Sequence, residues 1–302
     1  MLVFTSCSFT KRVPVSPALR VSSLRARSLE GTAREWARRI NAEQVRVPAG
    51  DVYGGQAVVA AKAAAEILGA RLHFVSAGLA LVDQHSPVPG YDLSIGAGES
   101  TPRPLAEGRH TPQEWWLALN GALGVESPVA SAIREHDGLA LFALPEHYLR
   151  MIEGELQQLA ASDRRKLRLL VARGTQVTPQ LAPQVIRYDL RLQRLPGAPR
   201  GAMTSFAQRA LLHFASLATQ HPNVTSIASQ RALVEAALAL APAQNLQRAQ
   251  PMSDPNIKAW MRRTDPDLRA SKSALLRLFR ESGNACASHR FDRLHQDLRS
   301  AA

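Results

Sequence analysis

Short runs of β-branched and apolar residues recur along the 302-residue chain: LVFTSC at 2–7, RLHFVSA at 71–77, GLALFAL at 138–144, KLRLLVA at 166–172 and VIRYDL at 185–190. Runs this short and this continuously apolar read as strands buried on both faces. Between them the apolar spacing shifts to three and four residues, which predicts helices over 33–40, 56–68, 112–119, 145–160 and 205–220. The alternation predicts an α/β domain with a mostly parallel, Rossmann-like sheet and helices on both faces. In such sheets ligands bind beyond the carboxyl ends of the strands, so candidate chemistry is sought just after each run.

Beyond Pro222 the strand pattern stops. The expected organisation is an α/β nucleobase-binding and catalytic domain over 1–222, a linker or connecting helix over 223–250, and a small helical module over 251–302. In that module Ser253-Asp254-Pro255 and Thr264-Asp265-Pro266 each put an acidic cap before a proline, the signature of a helix start. A third helix is predicted over 287–299, after a turn in which Gly283 acts as terminator. Phe291, Leu294 and Leu298 share one side of it, and His289, Arg293 and Gln296 lie opposite. Two helices around a short glycine-containing turn resemble a helix-turn-helix, which makes His289, Arg290, Arg293 and Gln296 candidate DNA contacts. A helical bundle with an ordinary solvated face explains the same pattern.

Charge then points to a partner. Lysine and arginine number 37 against 25 acidic residues, a formal net charge of +12, and 32 of the cations are arginine. The surplus fits a polyanion, with nucleic acid and DNA in particular favoured, although arginine richness also follows from a GC-rich genome. It is uneven: residues 11–46 carry a net +6 and residues 251–302 a net +4. The longest apolar stretch, 57–82, is broken by Lys62, Glu66 and Arg71, so no membrane span is expected. The first apolar run precedes the first charges, the order of a buried strand rather than of a secretory leader, and a cytoplasmic location is expected. Cys7 and Cys286 are far apart in the chain and form no CxxC pair, which favours neither zinc nor a disulfide framework. The GxxxxGK[ST], GxGxxG, HExxH and GxSxG motifs are all absent, so neither a metal nor a cofactor is expected. No pattern specifies an oligomeric state.

Four clusters follow strand ends. In the first, Cys7, Ser8, Lys11 and Arg12 offer a thiol, a hydroxyl and two cations suited to a phosphate or a base carbonyl, or simply mark where the chain regains solvent. Tyr53, Gly54 and Gly55 precede a helix whose first amides a ligand can approach, though two glycines there also make an ordinary turn. Ser76, Ala77 and Gly78 lead to Tyr91 and Asp92, an aromatic beside a carboxylate able to activate water or steady a cationic sugar; an Asx-turn is the plainer alternative. In the fourth cluster Arg200 lies before a helix carrying Arg209 and His213 one turn apart.

Three of these clusters also carry a resemblance. Cys7-Ser8 with Lys11, Tyr53-Gly54-Gly55, Ser76-Ala77 with Gly78-Leu79, and Pro89-Gly90-Tyr91-Asp92 occur in that order. They resemble the C-[ST]-x-x-K, Y-x-G, S-A-x-x-G-L and P-Y-D motifs of a family of Rossmann-like nucleobase domains. The family includes YaaA-like peroxide-stress proteins and domains associated with deazaguanine transglycosylation. Anti-phage DNA glycosylases that remove glucosylated hydroxymethylcytosine are similar. The likeness covers residues 1–95, with a shorter S-A-G-L segment and an inserted Gly90.

Together, resemblance and charge imply a DNA glycosylase that flips out a modified base, hydrolyses its N-glycosidic bond and leaves an abasic site, in a setting such as anti-phage defence. In that reading Asp92 orients water or steadies the sugar cation. Tyr53 and Tyr91 stack on or hydrogen-bond the base, and Lys11 with Arg12 holds a flanking phosphate. Cys7, Ser8, Gly54, Gly55, Ser76 and Gly78 line the pocket, and Arg200 and Arg209 reach the backbone or a sugar on the base. Two other readings stand beside it: a non-enzymatic DNA-binding stress or regulatory protein, and a transglycosylase-like enzyme exchanging a base on RNA.

Overall fold

The computed structural model describes residues 1–96, 98–242, 250–267 and 269–300. The chain forms two compact units, 1–242 and 243–302.

The first unit is built on a six-stranded sheet. In chain order its strands are β1 (Leu2–Ser6), β2 (Arg71–Ser76), β3 (Ala80–Asp83), β4 (Ala140–Ala143), β5 (Leu167–Ala172) and β6 (Val185–Tyr188). They lie side by side as β3-β2-β1-β4-β5-β6. All neighbours are parallel except β3, which turns back antiparallel on β2. The expected strands fall where the apolar runs place them. The edge strand β3 escapes that pattern because only half of it is covered, and the β2–β3 turn is too short to leave a gap in the apolar run.

The longer helices of this unit are α1 (Leu29–Ala42), α2 (Gln56–Ile67), α3 (Pro112–Leu123), α4 (Pro128–Arg134), α5 (Glu146–Gln158), α6 (Phe206–Gln220) and α7 (Ile227–Ala239). They pack in two groups, α2 with α6 and α6 with α7, and α1 with α3 and α3 with α5. Every residue of β1 and β4 is buried, so both faces of the sheet are covered and the two groups lie on opposite sides. The region 223–250, expected as a linker or connecting helix, contributes α7. This helix starts at the Ser226 cap and packs on β6 and α6 within the first unit.

From β1 the chain goes to β2 on one side and later to β4 on the other. This places the topological switch point at the carboxyl end of β1, where Cys7 and Ser8 emerge.

Among its described residues the second unit holds three helices, α8 (Asp254–Thr264), α9 (Lys272–Glu281) and α10 (Ser288–Ser300), around Ile257, Met261, Leu275, Phe279, Phe291, Leu294 and Leu298. Here one expectation is corrected. Thr264-Asp265-Pro266 does not start a helix; Thr264 ends α8, and the Asp265 carboxylate instead accepts from Ala270 N at 2.7 Å. The true cap is Ser271, whose hydroxyl accepts from Ala274 N. The turn between α9 and α10 contains Asn284–Ala285, a two-residue strand paired in parallel with Gln250–Pro251.

Candidate functional site

Two loops converge on the switch point. After β1 the backbone runs beside 52–54 as a short antiparallel ladder: Arg12 N donates to Val52 O at 2.8 Å and Gly54 N to Thr10 O at 3.0 Å, which pairs Lys11 with Tyr53. Ser8 Oγ donates to Thr10 O at 2.6 Å and also accepts from Gly54 N. A side chain at Gly54 would crowd the exposed Arg12 side chain, and glycine is favoured at position 55 because its φ of 88° lies in the left-handed region as it opens α2.

The second loop is fixed by indoles. Trp36 of α1 donates to Gly78 O at 2.7 Å, and Trp115 of α3 donates to Ala77 O at 2.8 Å. These buried side chains satisfy the carbonyls that leave β2, so the loop is held from beneath. A Cβ on Gly78 would lie 2.7 Å from the Tyr91 ring, so only glycine lets that ring seat. Asp92 follows, held by Asp92 N to Leu19 O and Val21 N to Asp92 O.

Between the loops lies a fully buried chain of hydroxyls. Ser76 Oγ accepts from Gly78 N and Leu79 N at 3.1 and 3.0 Å, which fills both its lone pairs. Its proton therefore goes to Tyr91 Oη at 2.6 Å, and Tyr91 donates onward to Tyr53 Oη at 2.9 Å. Burial pushes both phenols far above their ordinary pKa, so they stay protonated donors and cannot act as bases.

Lys11 covers this chain of hydroxyls. Its ammonium turns inward, donates to Ser8 O, and sits 4.6 Å from the centre of the Tyr91 ring and 5.2 Å from that of Tyr53. Burial lowers its pKa, while Cys7 and Asp92 within electrostatic reach act in the opposite direction. Cys7 Sγ lies 3.1 Å from Tyr148 Oη at the start of α5. Thus Cys7, Ser8, Lys11, Tyr53, Gly54, Ser76, Gly78 and Tyr91 are gathered at one place, with Asp92 half-exposed beside them and Arg12 exposed at the rim.

One assigned role changes. Tyr53 and Tyr91 are packed edge to face, wholly buried and covered by Lys11, so neither ring offers a face for a base to stack on. Their hydroxyls remain in the buried chain with Ser76. Arg12 is exposed, as a phosphate contact requires.

The remaining candidates lie elsewhere. Arg209 is buried in the first turn of α6, where it donates to Pro199 O and Ala202 O and lies 5.5 Å from the Phe206 ring, while Arg200 is exposed on the preceding loop. His213 Nδ1 lies 3.1 Å from Tyr188 Oη. In the second unit His289 and Gln296 are exposed on α10. Arg290 Nε donates to Asp254 at 2.7 Å, and Arg293 lies 3.5 Å from the same carboxylate.

Residues that the sequence did not single out include Tyr148, Trp36, Trp115 and Gln208. Gln208 Nε2 ties Thr5 Oγ1 to Ala143 O at the ends of β1 and β4. Each sits in a helical apolar pattern, where nothing in the spacing marks a polar tip. Among the described residues no group of three His, Cys, Asp or Glu is placed to hold a metal, and no helix is long and apolar enough to cross a membrane. No protein-family model, curated protein or solved structure matches the chain.

Proposed function

We propose that the first unit removes a base from DNA by hydrolysing its N-glycosidic bond. The observation that carries this reading is a single ammonium, Lys11, held over two buried phenols with the Asp92 carboxylate in electrostatic reach, at the switch point of a mostly parallel sheet. It pairs a proton donor with an anionic group in a poorly solvated place, which is what glycosidic cleavage needs.

In the proposed reaction the bond from the sugar C1′ to the base nitrogen breaks with its electron pair going to the base. Lys11 protonates or hydrogen-bonds the departing base. Asp92 steadies the sugar cation and takes a proton from the water whose oxygen joins C1′. The products are a free base and an abasic site. A modified cytosine is the favoured target, in keeping with the glycosylases that the first 95 residues resemble. The second unit is proposed as a helix-turn-helix-like docking module, with exposed His289 and Gln296 toward the duplex.

Incubation with oligonucleotides bearing plain, hydroxymethylated and glucosylated cytosine tests this. Free base and an alkali-labile site are expected from at least one, and Asp92→Asn is expected to slow release by about 10²–10⁴-fold with binding retained. Binding to all three without release from any overturns the hydrolase and leaves a DNA-binding regulatory protein.

A further inference from the structure

The chain has eight phenylalanines, and seven of them are at most 4% exposed; Phe9 is 76% exposed. Among the described residues it is the one aromatic side chain in the set of exposed large apolar groups. A loose loop would make this unremarkable, but Phe9 stands on a braced one. Ser8 Oγ bridges across it to Thr10 O at 2.6 Å, Lys11 Nζ holds Ser8 O from below, and the Gly54 amide grips both sides through Ser8 Oγ and Thr10 O. The backbone thus holds an aromatic residue in water just past the carboxyl end of β1, two residues before Lys11. Exposed Arg12 lies three residues on, beside the turn that opens α2.

We infer that Phe9 is a base-stacking platform, a ring on which an unpaired nucleobase lies while Arg12 meets the adjoining phosphate. Stacking against an aromatic ring beside a cation is a general mode of single-strand recognition, because every base has a π face and every nucleotide a charge. The buried tyrosines cannot supply that face. The inference deepens the proposed base removal and rests on it for the choice of nucleic acid as occupant.

The test uses the full chain carrying Asp92→Asn, so that chemistry does not intervene, and oligonucleotides with 2-aminopurine at successive positions. Binding is expected to change the fluorescence at one position. Phe9→Ala is expected to weaken binding about tenfold and abolish that change, and Phe9→Trp to restore both. Because Phe9 is exposed, Phe9→Ala folds as the parent does, which its melting curve verifies. Unchanged affinity and fluorescence in Phe9→Ala overturn the inference and assign the ring to another kind of partner; failure to bind any oligonucleotide overturns it as well. Base release by the wild type is measured separately. Phe9-dependent stacking without release sinks only the hydrolase, and release that ignores Phe9 sinks only the platform.

Discussion

Lys11 of the first unit and the paired cations of the second are held in opposite ways. Lys11 of the first unit faces inward with a backbone carbonyl and two ring faces for company, and its nearest carboxylate, Asp92, acts through space. In the second unit Lys258 is 2.8 Å from Asp297, Lys272 is 2.8 Å from Asp292, and Arg290 and Arg293 share Asp254. Those are exposed or half-exposed pairs, a kind that contributes about 0–1 kcal/mol. One unit therefore sets a cation where water is scarce and its protonation is adjustable, and the other neutralises its cations locally. The net charge of +12 is not a uniform coat, and in the second unit Lys258, Lys272, Arg290 and Arg293 are already matched by carboxylates.

The contrast can be broken most forcefully at Ser76. Its hydroxyl serves two backbone amides and Tyr91 in a wholly buried setting, so Ser76→Ala leaves all three short of a partner. A loss of about 3 kcal/mol is expected from chemical denaturation, against the few tenths typical of an exposed serine. A loss under 1 kcal/mol refutes the claim that the hydroxyl chain is rigidly bonded.

A subtler probe is Lys11→Met, which keeps length and removes charge. Burial holds the folded-state pKa of Lys11 below its unfolded value, so the unfolded chain binds the extra proton between the two. Wild-type stability should therefore rise with pH from the lowered folded value up to the unfolded value near 10.5, and the variant should lack that rise. The difference in melting temperature across this range reads it, and parallel curves would mean that Lys11 is solvated after all.

The smallest effect is expected in the second unit. Asp254→Asn removes the carboxylate between Arg290 and Arg293, at a cost below about 1 kcal/mol. Freed of their partner, the two arginines should tighten nucleic-acid binding a few-fold and steepen its salt dependence. An unaltered salt slope detaches this unit from the nucleic acid.

Much of the first unit was legible because buried parallel strands announce themselves as continuous apolar runs; β1, β2, β4, β5 and β6 lie within the runs read from the sequence. Strand β3 was hidden by its half-covered edge position. The helix start at Thr264-Asp265-Pro266 misled because Asp265 can cap a turn as readily as a helix, and the local residues do not say which. The strand-end rule located Cys7, Lys11, Tyr53, Ser76 and Tyr91 at what proved to be one place. It could not tell that the tyrosines are roofed over, since burial is set by Trp36 and Lys11 arriving from elsewhere in the chain. Phe9 was passed over for the reverse reason: a phenylalanine is presumed inside.

Gly90 carries a last consequence. In the sequence it looks like a spare residue inserted before Tyr91-Asp92, but a side chain at this position would collide with the Pro14 carbonyl oxygen, which is backbone and cannot swing aside. It is the point where the segment after Arg12 crosses the segment before Tyr91, and that crossing draws the two loops of the site into one frame. In a library of every single substitution, position 90 should therefore be as intolerant as position 78, where the Tyr91 ring leaves no room. A search for distant relatives would do well to weight these two empty positions as heavily as the side chains around them.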